Sequence, residues 1–203
     1  MKRIITIGRE FGAGGGELGR RLARELGIAY YDRDIILRTA KASAHLTPEQ
    51  VRRWDERVPH EFGFTQSLFN FYDKPLSEEL WNAQVKAIRE LADKESCVIV
   101  GRNADVLLES RQPFKLFVCA DTQAKLERCQ GRAPEGENLS PKELLRKMKQ
   151  VDRVRAQTRM LLSGSEWGRR DAYHLIVNTT DWNIKDLAPA VGRFALDWFG
   201  RRP

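Results

Sequence analysis

The stretch Ile4-Ile5-Thr6-Ile7-Gly8-Arg9-Glu10-Phe11-Gly12-Ala13-Gly14-Gly15-Gly16-Glu17-Leu18-Gly19 restricts the fold more than any other part of the chain. A short β-type run, Ile4 to Ile7, empties into five glycines within nine positions, and helix formers follow at Glu17, Leu18, Arg20, Arg21, Leu22 and Ala23. A strand that passes through a glycine loop into a helix brings backbone N–H groups close to a ligand. The helix start adds a positive dipole end, so the guest this favours is a phosphate. Gly8, Arg9, Glu10, Phe11, Gly12, Ala13, Gly14, Gly15, Gly16 and Glu17 are the candidate nucleotide- or phosphate-binding residues. A phosphate loop of the common kind carries Lys after its last required glycine and then a hydroxyl for magnesium. Aligned on Gly12-Ala13-Gly14, the Lys position holds Gly15, and no Ser or Thr follows it. A glycine turn without a ligand is the bland alternative, and the flanking strand and helix count against it.

Five short apolar runs alternate with helical stretches: Arg3 to Ile7, Ile28 to Tyr31, Cys97 to Val100, Lys115 to Cys119 and His174 to Val177. Alternation of this kind predicts an α/β fold in three layers, a five-stranded parallel sheet with helices on both faces. Ligands in that architecture sit beyond the carboxyl ends of the strands. Charged residues stand there each time: Arg9 and Glu10, then Asp32, Arg102, Asp121 and Asp181. Arg102, after the tight turn that Gly101 permits, is placed to clamp phosphate oxygens; a surface ion pair with Asp105 is its alternative. Asp32 reads either as a helix N-cap or as an acceptor-site residue, and Arg38 as a solvated helix residue or a phosphate contact.

Two segments are too long or too basic for simple connections. Residues 33–94 exceed a single crossover and predict a helical insert for an acceptor. Within it, Thr47-Pro48 reads as a helix start, and Phe62, Phe64, Leu68, Phe69, Phe71 and Tyr72 form an aromatic patch that packs the insert on the body or faces a second copy in a homodimer. Its last helix, Ser77 to Lys94, has Leu80, Trp81, Val85, Ile88 and Leu91 as its apolar stripe. Gln84 lies off that stripe, facing a ligand or water. Residues from about 128 to 159 predict a helical hairpin with a polar tip, Ala133 to Asn138. Its arginines, Arg128, Arg132, Arg153, Arg155 and Arg159, exceed the nearby acids, as a lid over phosphates requires.

Composition narrows the classes. A chain of 203 residues with 41% hydrophobic and 31% charged residues suits one globular domain, 1–203. No apolar run approaches a membrane span, and Met1-Lys2-Arg3 enters a strand without a leader segment, so a cytoplasmic location is expected and no membrane partner. The net charge of +7 attracts anions. Its scattered arginines favour a small phosphate-rich ligand over a nucleic-acid groove. Cys97, Cys119 and Cys129 lack metal-ligand spacing and read as buried thiols, and His174 reads as a packed or solvent-facing histidine.

Taken in order, these pieces resemble the cytidylate kinase-like family, a branch of the P-loop nucleoside monophosphate kinases. The residues that carry the resemblance are Gly8 to Gly15, Tyr30-Tyr31-Asp32-Arg33, Val98 to Asp105, Asp152-Arg153-Val154-Arg155, Ser163 to Gly168 and Tyr173 to Thr179. The resemblance implies a P-loop NTPase-type sheet with a monophosphate-binding insert and a lid. It implies phosphoryl transfer from ATP with Mg²⁺ to CMP, dCMP or a related nucleotide, or a binding protein of the same fold that senses a nucleotide without turnover. It further implies Asp32, Arg38, Arg102, Asp152 and Arg155 in the acceptor site, with Asp152 reading the cytosine amino edge, and Gln84 joins them as a candidate from its place on the helix alone. Arg9, Arg102, Arg153 and Arg155 are the catalytic candidates, and Glu10 or Glu17 the candidates for metal. Two positions depart from the family pattern: Gly15 for Lys, and Val100 for the Asp that precedes Gly-Arg.

Overall fold

The computed structural model describes residues 2–32, 78–132 and 139–201. Five strands lie in one sheet: β1 (Ile4–Arg9), β2 (Ala29–Tyr31), β3 (Cys97–Val100), β4 (Phe114–Cys119) and β5 (Leu175–Asn178). They run in the order β2-β3-β1-β4-β5, and every adjacent pair is parallel. The connecting helices are α1 (Gly15–Leu26), α2 (Glu78–Lys94), α3 (Ala104–Leu107), α4 (Thr122–Gln130), α5 (Pro141–Ser163) and α6 (Ile184–Gly200). The expected strands are all present, with edges shifted by one or two residues, as fraying ends allow. The expected insert is described only from α2 onward. Arg38, the Thr47-Pro48 start, the aromatic patch of Phe62 to Tyr72 and the hairpin tip of 133–138 lie outside the described residues.

The strands alternate their side chains between two dry layers. Ile5, Ile7, Val98, Val100, Leu116 and Val118 pack under α1 and α6, against Leu18, Leu22, Ile184, Ala188 and Val191. Ile4, Cys97 and Ile99 face the other way, onto Ile88, Leu91 and Ala92 of α2 and Ala104 of α3. Two buried faces make the apolar runs continuous instead of alternating with polar residues. Gly19 permits the close seat of α1 on the sheet, because a Cβ there would lie 2.7 Å from Cγ2 of Val100.

The buried face of α2 is Gln84, Ala87, Ile88, Leu91 and Ala92; of the expected stripe Ile88 and Leu91 are buried and Trp81 and Val85 half-buried, while the Leu80 side chain lies outside the described residues. Gln84 therefore lies on the stripe and not off it; its single polar side chain hid its membership from a reading of apolar periodicity. His174 packs, stacked on Phe114 at 5.8 Å, and its Nδ1 accepts from the Lys115 N–H at 2.9 Å.

All three cysteines are free thiols. Burial pushes the Cys97 thiol up to about 12 and raises that of Cys119, so neither forms much thiolate at pH 8. Titration of the native protein with a disulfide reagent at pH 8 should leave Cys97 and Cys129 unmodified over minutes. The same titration in denaturant should count three thiols; fast native labelling of Cys97 would contradict this packing.

Candidate functional site

The sheet order places β1 between β3 and β4, which leave it on opposite sides. The crevice of a parallel sheet opens where the order reverses, beyond the carboxyl end of β1. The glycine loop lies there. Gly12 and Gly14 adopt left-handed φ of 78° and 83°, and Gly14 is the N-cap of α1, so the first N–H groups of that helix point out of the loop. A cleft of about 1330 Å³ is lined by Arg9, Gly12, Gly14, Gly15, Gly16, Arg128, Arg132 and Arg155, and extends past Tyr30 and Asp32. Tyr30 holds the first turn of α1 through its hydroxyl, which donates to the Gly16 carbonyl at 3.2 Å. Burial pushes that phenol up to about 12, so it remains the donor at neutral pH.

The loop is braced from behind. The Arg128 Nη1 donates to the Gly12 carbonyl at 3.0 Å, its Nη2 to the Thr179 carbonyl at 3.0 Å, and the Thr179 hydroxyl to the Ala13 carbonyl at 2.8 Å. Two loop carbonyls are thereby held inward, while the Ala13 N–H donates to the Glu10 carbonyl at 3.4 Å. Phe11 is buried in a small core with Cys129, Leu144, Met148 and Val151, which joins α4 and α5 to the loop.

That attachment changes the expected roles of the hairpin residues. Asp152 accepts the Phe11 N–H at 2.9 and 3.1 Å and the Arg155 Nη1 at 3.0 Å. Burial raises its carboxyl, while Arg155 and the Phe11 N–H pull it back down. Arg155 Nη1 also donates to the Arg9 carbonyl at 3.0 Å. Arg159, expected in the lid, is instead buried in an ion pair with Asp105, with its Nε donating to the Ser165 hydroxyl at 3.1 Å. Asp105 thus takes Arg159 as partner in place of the alternative Arg102. Arg132 pairs with Glu17, and Arg153 is exposed outside the cleft lining. Arg128, Arg132 and Arg159 find backbone carbonyls or acids far away in sequence, and Arg155 the nearby Asp152 together with the remote Arg9 carbonyl.

The two metal candidates are already matched by cations. Glu10 accepts from Lys125 Nζ at 2.8 Å and from the Ala120 N–H at 3.3 Å, and Glu17 pairs with Arg21 at 2.8 Å as well as with Arg132. Among the described residues no group of three His, Cys, Asp or Glu is placed to hold a metal. The loop carboxylates therefore do not fit magnesium, and no chemical step is assigned through it.

Arg102 follows Gly101 in a turn where Gly101, Arg102 and Asn103 all have left-handed φ, at 84°, 60° and 50°. Two consecutive residues bearing side chains in that region store strain, of the kind concentrated at functional sites. Gln84 is 1% exposed, and its amide finds no hydrogen-bond partner among the described residues. The two-residue link from α2 to β3 makes them antiparallel, so Gln84, ten residues before the helix end, stands toward the same sheet end as Arg102. Tyr30 and Thr179 stand in the motifs that carry the resemblance but were given no role there, and Lys125 stands in none. Their roles are hydrogen bonds to a loop that no local pattern links to them.

Comparison with known proteins agrees with this arrangement. Residues 4–181 match the model of the cytidylate kinase-like family. A cytidylate kinase from Granulibacter bethesdensis is 32% identical over 146 residues, covering 63% of this chain and 67% of that protein. A crystal structure of an uncharacterized protein from Eubacterium ventriosum superposes with a TM-score of 0.72 at 26% identity, covering 97% of this chain and 99% of the other. Shikimate kinase from Bacteroides thetaiotaomicron (TM-score 0.55, 16% identity, 95% and 97% covered) and a gluconokinase from Sinorhizobium meliloti (0.54, 17%, 99% and 98%) share the fold. A glycine loop at the reversal point of a five-stranded parallel sheet, with the family match across most of the chain, establishes that this protein belongs to the cytidylate kinase-like family.

Proposed function

We propose that the chain is a nucleotide kinase-like phosphotransferase that moves the γ-phosphoryl group of ATP to a nucleoside monophosphate, CMP or dCMP in the first instance. The observation that carries the reading is the glycine loop. Its left-handed Gly12 and Gly14 and the start of α1 form a cradle of N–H groups, at the mouth of a cleft ringed by Arg9, Arg128, Arg132 and Arg155. Phosphoryl transfer asks little covalent chemistry of the protein; positioning and neutralisation of charge do most of the work. An oxygen of the acceptor phosphate attacks the γ-phosphorus, the bond to the β,γ-bridging oxygen breaks, and ADP leaves. In this reading the loop holds the donor phosphates, and Asp32, Arg38, Gln84 and Arg102 face the acceptor.

The buried, unmatched amide of Gln84 supports that assignment, since a side chain able to donate and accept at once suits the edge of a base. Asp152, with both oxygens on Phe11 and Arg155, reaches cytosine only if the hairpin moves. A phosphate or nucleotide sensor is the second reading, favoured by Gly15 at the Lys position.

Incubation with ATP, with and without Mg²⁺, and a panel of monophosphates should release ADP fastest with CMP or dCMP. Ligand-induced thermal shifts without ADP release would select the sensor. Indifference to every nucleotide in both assays would overturn the proposal.

A further inference from the structure

The glycines at 15 and 101 share one neighbour. A Cβ built on Gly15 would lie 2.6 Å from Cβ and 2.9 Å from Cγ of Arg9, nearer than carbon atoms approach. A Cβ on Gly101 would fall on Nη1 of the same arginine, with Cζ at 2.7 Å. Arg9 is the last residue of β1, held in register with Val118 of β4. Its stem fills the volume into which a side chain at position 15 would project. Its guanidinium reaches across to the turn that follows β3, and the residue lines the cleft beside Gly12, Gly14 and Gly15.

We propose that Arg9 supplies, from the strand, the cation that a phosphate loop ordinarily carries at the position of Gly15, and that Gly15 is a glycine because the Arg9 stem occupies the space its side chain would need, while Gly101, whose φ of 84° itself calls for glycine, leaves room for the guanidinium. The proposal rests on the phosphotransferase reading above and names the residue that neutralises the donor phosphates in it. A Lys at 15 would start from the first turn of α1 and leave into the volume that the Arg9 stem fills, so the two positions compete for one space from different elements. The strand route has a physical merit. Arg9 begins in the sheet, and its planar guanidinium offers several N–H donors in fixed geometry where a lysine offers a mobile point charge. The neighbouring carboxylate, Glu10, is turned onto Lys125 and the Ala120 N–H.

The test is a transfer of the charge between the two positions. Wild type, R9A, G15K and the double variant R9A/G15K are compared by calorimetric titration with ADP and by turnover with ATP and the best acceptor. R9A should bind ADP at least about tenfold more weakly and turn over about 10²–10³-fold more slowly, as expected for loss of one preorganised charged donor. G15K alone should be impaired, since its stem meets that of Arg9. R9A/G15K should exceed R9A by at least about tenfold in both readouts, a rescue that a purely structural Arg9 would not permit.

R9A matching wild type, or a double variant that melts like R9A and binds no better, overturns the proposal. A wild type that binds ADP without turnover overturns the phosphotransferase reading alone, and the titrations then decide the role of Arg9. A wild type that does not bind ADP overturns both.

Discussion

Arg159→Ala should lower the free energy of unfolding by about 3–5 kcal/mol, the usual cost of removing one member of a buried ion pair. For a chain of this length that is a fall in melting temperature of about 6–20 °C. Both side chains of the pair are nearly sealed, at 5% exposed for Arg159 and 7% for Asp105. Removing the guanidinium would leave a carboxylate buried without its cation, empty the contact with Ser165, and open the face of Tyr173, over which the Arg159 Cζ lies 5.7 Å from the ring centre. Tyr173 in turn packs against Gly8, where an added Cβ would meet its hydroxyl at 3.2 Å. The pair thus links α3, α5 and the floor of the glycine loop. The control is the double variant D105L/R159M. Two apolar side chains of similar bulk should recover most of the loss, because the pair contributes little net energy once its desolvation is counted. Thermal melts of the three proteins check this. A fall of less than about 3 °C for Arg159→Ala would mean that the pair opens to water.

The second large effect is expected in the loop. Gly12→Ala places a side chain at a φ of 78°, which costs about 1–2 kcal/mol by itself. Its Cβ would also stand 2.9 Å from both the Lys125 carbonyl oxygen and the Cys129 sulfur. The carbonyl belongs to α4 and cannot step aside as a flexible side chain would, so overlap adds about 1–3 kcal/mol. The loop should relieve this by moving off α4, which displaces its N–H groups and weakens ADP binding by more than about tenfold. Gly27→Ala makes the comparison clean. That glycine is also left-handed, at 61°, but a Cβ there meets nothing within 4 Å, so it should show the backbone cost alone and leave ADP affinity as in wild type. Calorimetric titration of the two variants separates strain from overlap. Equal affinities would show that Gly12 is not held against α4.

The features that proved readable were those written into neighbouring residues. The glycine loop and the five apolar runs depend on chain chemistry within a few positions. The stripe of α2 was legible at Ile88 and Leu91 but not at Gln84, a polar residue in a buried place that periodicity assigns to apolar ones. The hairpin arginines depend on contacts of another kind. Arg128 and Arg159 were read as excess charge for a ligand, yet Arg128 is consumed by carbonyls of Gly12 and Thr179, and Arg159 by Asp105.

What the sequence determined by itself was the alternation of strand and helix, the place of the glycine loop and the family. These follow from periodicity and from glycine, which act over one or two turns of chain. Tertiary structure alone decided which charges remain for a ligand. Asp152 meets the Phe11 N–H across 141 residues, Glu10 meets Lys125 across 115, and the Arg9 side chain fills the space left by Gly15 and Gly101. An ion pair or a shared volume depends on distance in space, and distance along the chain does not encode it once parallel strands bring remote carboxyl ends together.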